Sequence, residues 1–90
     1  GTGVKEHKKE DFKYTYNNGK LKIHFVENII EKPVINIYDI SGKLIKTISD
    51  TDFQAGHKSI ELDVSFLIPG VYLFEISFSN NHYSLKLLVP

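Results

Sequence analysis

Ninety residues carry eleven Lys and Arg against eleven Asp and Glu, a formal net charge of zero. The net basic stripe needed to track phosphates is therefore missing, and nucleic acid is not expected as a partner. There is no cysteine, which removes disulfides, thiolate metal sites and thiol catalysis together.

A chain of this length makes one domain and buries only about 60% of the surface its unfolded form exposes, so most apolar residues must serve one thin core. No apolar run approaches the roughly 18 residues needed to span a bilayer. Residues 1–11 read as a flexible tether, with Gly1-Thr2-Gly3 as a linker or cloning remnant and the rest hydrophilic (Val4-Lys5-Glu6-His7-Lys8-Lys9-Glu10-Asp11). They lack both an apolar period and the apolar centre of a secretory signal. The expectation is a C-terminal piece of a longer exported chain, with one domain over residues 12–90.

Phe12-Lys13-Tyr14-Thr15-Tyr16 alternates aromatic with polar residues, the two-residue period of a half-buried strand. Asn17-Asn18-Gly19 tolerates positive φ and predicts a reversal. From Lys20 to Val26 the alternation is clean, with Leu21, Ile23 and Phe25 on one face and Lys20, Lys22 and His24 on the other. Glu27 to Lys32 is expected as a connection, and Pro33 suits a strand entry because no ladder N–H is yet required there.

Val34 to Asp39 then puts Ile35 and Ile37 inward. Ser41-Gly42 turns the chain into Leu44–Ile48, and a longer loop follows from Asp50 to His57. Lys58 to Val64 alternates again, placing Ile60, Leu62 and Val64 on one face. Pro69-Gly70 ends a corner that begins at Ser65. Val71 to Phe78 is apolar on both faces, which predicts a central strand, with Tyr72, Phe74, Ile76 and Phe78 on the richer side. Ser79-Asn80-Asn81-His82 predicts a hairpin turn, and Tyr83, Leu85, Leu87 and Val89 form the inner face of the last strand. Seven short strands at spacings of roughly 8–12 residues predict an all-β, immunoglobulin-like antiparallel sandwich. At the start of the sixth strand such folds often place a tyrosine whose hydroxyl bonds backbone across a corner. Tyr72 is either that residue or a plain core aromatic.

The chain offers little chemistry. His7, His24, His57 and His82 fall in a tether, on a solvent face, in a loop and in a turn, at no spacing that puts two imidazoles on one metal. Asp50-Thr51-Asp52 has the oxygens of a calcium loop without its glycine turn or distal glutamate, so ordinary turn chemistry is the stronger reading. No serine sits in a Gly-x-Ser-x-Gly elbow, and no glycine-rich phosphate cradle occurs. The expectation is a non-enzyme with no catalytic residue, no cofactor and no metal site. Several of Phe12, Tyr14, Tyr16, Tyr38, Phe53, Phe66, Tyr72 and Tyr83 are candidates for an exposed sugar platform, although the chain has no tryptophan to lead one.

Three segments in order carry a resemblance: Ile37-Tyr38-Asp39-Ile40-Ser41-Gly42-Lys43-Leu44, Leu62-Asp63-Val64-Ser65-Phe66-Leu67, and Gly70-Val71-Tyr72. Together they resemble the C-terminal sorting domain of the bacterial type IX secretion system, over roughly Tyr14 to Val89. The resemblance implies a non-catalytic address on a cargo protein of a Bacteroidetes-type bacterium, delivered through the periplasm to the outer membrane or cell surface, or secreted. It implies recognition by the type IX translocon and an outer-membrane shuttle β-barrel, and in many members a cut before the domain by a sortase-like cysteine transpeptidase. From the alternation and the turns themselves, Ile37, Leu62, Tyr72, Phe74 and Ile76 are expected in the core and, with Gly42 and Gly70 at the turns, are the expected fold-determining residues.

For docking, the expected residues are Lys43, Tyr83, Leu85, Lys86, Leu87, Leu88 and Val89, because a last strand at a sheet edge leaves backbone groups for a partner strand. Any cut is expected in the tether, Val4 to Asp11, where the backbone is unpaired. The rival expectation is an immunoglobulin-like spacer or carbohydrate-binding module of a surface enzyme.

Overall fold

In the computed structural model, residues 12–49, 51 and 53–90 are described, and they contain seven strands and no helix. The strands are β1 (Phe12–Asn17), β2 (Lys20–Ile29), β3 (Val34–Asp39), β4 (Leu44–Ile48), β5 (His57–Asp63), β6 (Gly70–Phe78) and β7 (Asn81–Val89). Every pairing is antiparallel, in two sheets ordered β1-β2-β5 and β4-β3-β6-β7. Two half-buried sheets closing on one core form the sandwich that the alternating pattern predicts. The proposed tether, Val4 to Asp11, and the carboxylates Asp50 and Asp52 lie outside the described residues.

The core follows from the alternation. Leu21 and Ile23 of β2 stand opposite Leu62 and Ile60 of β5, and Ile35, Ile76 and Tyr83 form a row across β3, β6 and β7. Ile37, Phe74 and Leu85 form the next row, and all of these side chains are buried. Each contributes about 1.5–3 kcal/mol by leaving water. At one end Phe25, Phe78 and Tyr83 cluster with ring centroids 4.8–5.6 Å apart, and Phe12 closes the cluster from β1.

Turn chemistry sets the registers. Asn18 and Gly19 have φ of 50° and 79°, the mirror-image turn that matches strand twist in a two-residue hairpin. Ser79 and Asn80 repeat it, with φ of 52° and 63°. The β3–β4 turn instead places Gly42 at φ 89°, with Gly42 N–H donating to Asp39 O at 3.0 Å and Asp39 N–H to Lys43 O at 2.9 Å. That is a type I turn closed by a glycine bulge.

Two boundaries differ from the sequence reading by more than one residue. β2 continues past Val26 to Ile29, because Ile29 keeps the odd-numbered inner face begun by Leu21, Ile23 and Phe25. The polar pair Glu27-Asn28 hides this, yet the Glu27 carboxylate accepts from Tyr83 Oη at 2.9 Å and Asn81 Nδ2 at 2.5 Å. The last hairpin turn is only Ser79 and Asn80, so Asn81 and His82 already belong to β7.

Candidate docking surface

β7 closes the four-stranded sheet, so one of its edges has no neighbouring strand. Which residues face that edge follows from the hairpin. A two-residue turn closes on a hydrogen-bonded pair, here Phe78 and Asn81, and bonded and non-bonded pairs then alternate along the ladder. Tyr83, Leu85, Leu87 and Val89 therefore turn their backbone groups to β6, and their side chains are in the core. Ser84, Lys86 and Leu88 turn their N–H and C=O groups to the open edge. The Lys86 carbonyl is met there by the hydroxyl of Tyr14, which donates to it at 2.9 Å from β1 of the other sheet.

Side chains on the outer face of the four-stranded sheet segregate by row. Leu44, Tyr38, Leu73 and Lys86 stand side by side across all four strands, and Val71 stands beside Leu88. A shallow groove of about 410 Å³ runs along this apolar end, lined by Tyr38, Ile40, Val71, Leu73 and Lys86 among others. The neighbouring row is polar and internally bonded: Thr47 Oγ1 donates to Asn36 Oδ1 at 2.6 Å, and Ser84 Oγ donates to Glu75 Oε2 at 3.0 Å. Lys43 is exposed beside the β3–β4 turn, at the same end as the groove.

Of the residues that the sequence marks for docking, only Lys43, Lys86 and Leu88 have exposed side chains. Ser84 and Tyr14, which the sequence does not mark, also stand at this edge. Their placement depends on hairpin parity and on the approach of two sheets, which no local pattern encodes. Of the residues marked for the fold, Ile37, Leu62, Tyr72, Phe74 and Ile76 are buried. Gly42 sits at the bulge, and Gly70 opens β6 with the Tyr72 ring about 3.7 Å from where a Cβ would stand.

Two aspartates shape the turns at this end. Asp39 Oδ1 accepts from Ser41 N–H at 2.9 Å, Ser41 Oγ at 2.6 Å and Lys43 N–H at 3.0 Å. These bonds, the Ser41 hydroxyl first, hold its carboxyl below the ordinary range. Asp63 repeats the motif, accepting from Ser65 Oγ at 2.6 Å and Ser65 N–H at 3.0 Å, while Lys20 reaches its other oxygen at 3.3 Å. Its pKa is lowered to about 2, chiefly by the Ser65 hydroxyl. Both carboxylates are spent on turns.

Among the described residues, no group of three or more His, Asp or Glu could hold a metal ion. Of the aromatics named above, Tyr14 and Phe66 are exposed, and Phe66 lies under the Lys46 ammonium at 5.0 Å from the ring centroid. The others are buried or half-buried.

Residues 17–90 match a family model described as the secretion system C-terminal sorting domain. No curated protein matches the chain.

Proposed function

The chain belongs to the secretion system C-terminal sorting domain family, the non-catalytic sorting signal of type IX secretion, and we propose that it is read as a folded surface by the export machinery. A protein bearing this domain is exported to the cell surface or secreted. The family match carries the reading, because it covers every strand from β2 to β7.

In the proposed route, the domain passes through the periplasm and is recognised there by the type IX translocon and an outer-membrane shuttle β-barrel. The β7 edge, the exposed side chains of Lys86 and Leu88 on that strand, and Lys43 beside the β3–β4 turn supply the contact. They combine unpaired backbone with positive charge and a neighbouring apolar groove, the elements of strand-addition recognition. Residues 1–11 act as the tether that a sortase-like cysteine transpeptidase cuts, and residues 12–90 as the sorting unit.

The test is a fusion of Val4–Pro90 to the C-terminus of a periplasmic reporter in a type IX-competent bacterium. The reporter should reach the cell surface, and deletion of Leu85–Pro90 should leave it in the periplasm. Retention of the intact fusion in a host that exports its own cargo overturns the reading.

A further inference from the structure

β1 closes one sheet and β7 the other, and Phe12 and Tyr14 of β1 reach across to Tyr83 and Lys86 of β7. Tyr14 stands opposite Ile23, on the core-facing side of β1, yet it is 41% exposed. Its ring overhangs the edge and spans the gap to the Lys86 carbonyl. Beside it lies a cleft of about 340 Å³, lined by Phe12, Tyr14, Leu85 and Lys86 among others.

An open strand edge pairs with extended chain unless something blunts it, and an outward lysine is one common device. Here the edge carries Lys86 and, on its carbonyl, the Tyr14 hydroxyl. A hydroxyl occupying a ladder acceptor is a weak, replaceable partner: a backbone N–H from an added strand satisfies the same oxygen.

We propose that the Ser84–Leu88 edge is a slot for one extended strand of a partner protein, and that the Tyr14 hydroxyl plugs it until that strand arrives. This deepens the export reading and rests on it for the partner's place in the export machinery. The slot also states the partner's chemistry. Side chains on the outer side of the added strand stand beside Lys86, whose ammonium pairs with no acid among the described residues, so a carboxylate belongs there. Side chains on the inner side enter the cleft against Phe12 and Leu85 and must be apolar. The partner strand therefore alternates apolar and acidic residues. A second copy fits poorly, since the antiparallel register that uses all three edge residues sets Lys86 against Lys86, and like charges directly opposite are destabilising.

The test extends the chain beyond Pro90 by a flexible glycine–serine linker and a short strand alternating valine with glutamate. Tethering holds the probe at an effective millimolar concentration, which compensates for its weak intrinsic affinity. Amide hydrogen exchange at Ser84, Lys86 and Leu88 should slow about ten-fold relative to a linker-only extension. Tyr14→Phe, which frees the carbonyl and keeps the ring, should deepen that protection about five-fold, the worth of one neutral hydrogen bond. A strand carrying lysine for glutamate should protect nothing. Unchanged exchange in both backgrounds, equal protection by the lysine strand, or a concentration-dependent dimer overturns the slot.

In the reporter fusion, the valine–glutamate extension should block surface delivery while the linker-only extension permits it. If both are delivered, the partner is not the export machinery and the proposal falls. If the linker-only and the unextended fusions are both retained, the export reading fails, and the exchange measurement still decides whether the slot exists.

Discussion

The hydroxyl of Tyr72 donates to the carbonyl oxygen of Ile68 at 2.7 Å, tying the start of β6 to the corner that precedes it. Tyr72 is thus both of the things its sequence position allows, a buried core aromatic and a tyrosine corner. The ring fills space above Leu87, its neighbour in register, while the hydroxyl satisfies a carbonyl that no strand partner reaches.

Those two roles separate by substitution. Tyr72→Phe keeps the ring and loses the bond, which should cost about 1 kcal/mol. Tyr72→Ala also leaves a cavity and should cost about 3–5 kcal/mol. Urea unfolding reads the difference as a fall in midpoint at unchanged slope. Equal losses in the two variants would show that the corner bond carries the whole effect.

Core truncation tests which face is inward. Leu62→Ala and Phe74→Ala each remove a buried side chain and should cost about 2–5 kcal/mol, enough to threaten so small a domain. A loss below about 1 kcal/mol at both positions would contradict the packing described above.

The inner faces were legible because a strand needs only its own alternation to declare them. Leu21, Ile23, Phe25, Ile60, Leu62, Phe74 and Ile76 all obey it and all are buried. The extension of β2 to Ile29 was not legible, because Glu27 takes an inner-face position and is satisfied by Tyr83 and Asn81, residues more than fifty positions away. The edge was legible only in outline. The last strand announces itself, but which of its residues face outward depends on the β6–β7 turn having two residues, and the sequence Ser79-Asn80-Asn81-His82 allows more than one such frame. Tyr14 reads as an ordinary inner-face aromatic until the second sheet is in place.

Gly19 is needed for two independent reasons. Its φ is 79°, and a Cβ there would lie 2.8 Å from Ser65 Cβ and 3.0 Å from Ser65 Cα. The approach is close because the Gly19 carbonyl accepts from Val64 N–H at 2.7 Å, joining the first hairpin to the β5–β6 corner. Gly19→Ala should therefore cost about 2 kcal/mol. Gly42→Ala, with a φ of 89° and open space around the added Cβ, should cost only about 1 kcal/mol. Comparing the two denaturation midpoints isolates the contact with Ser65.

Acid should weaken the fold through its turns. The Asp63 carboxyl titrates at about 2 in the folded chain against an ordinary 3.8, so the folded state binds fewer protons than the unfolded state between those values. A depressed carboxyl contributes stability that is complete above the unfolded pKa and is lost as pH falls through the folded one. Asp39 shifts in the same direction. The unfolding midpoint should thus hold steady above about pH 4 and fall progressively toward pH 2. Ser65→Ala removes the largest cause of the Asp63 shift and should bring that carboxyl back toward its ordinary value in an NMR titration. A carboxyl that stays depressed in this variant would assign the shift to the backbone N–H of residue 65 and to Lys20, the groups that the substitution leaves in place.

Lys86 separates recognition from folding. Its side chain is exposed on the outer face beside Leu73, and substitutions at such positions usually change stability by less than about 0.5 kcal/mol. Lys86→Glu should leave the unfolding midpoint nearly unchanged and still prevent a reporter fusion from reaching the cell surface. Leu85→Ala provides the contrast, since it empties a buried core position and should lower stability first, with any export defect following from that. If Lys86→Glu is delivered as well as the parent fusion, positive charge on β7 is not read by the export machinery, and recognition must lie elsewhere on the domain, with the groove between Tyr38, Ile40 and Val71 as the next surface to substitute.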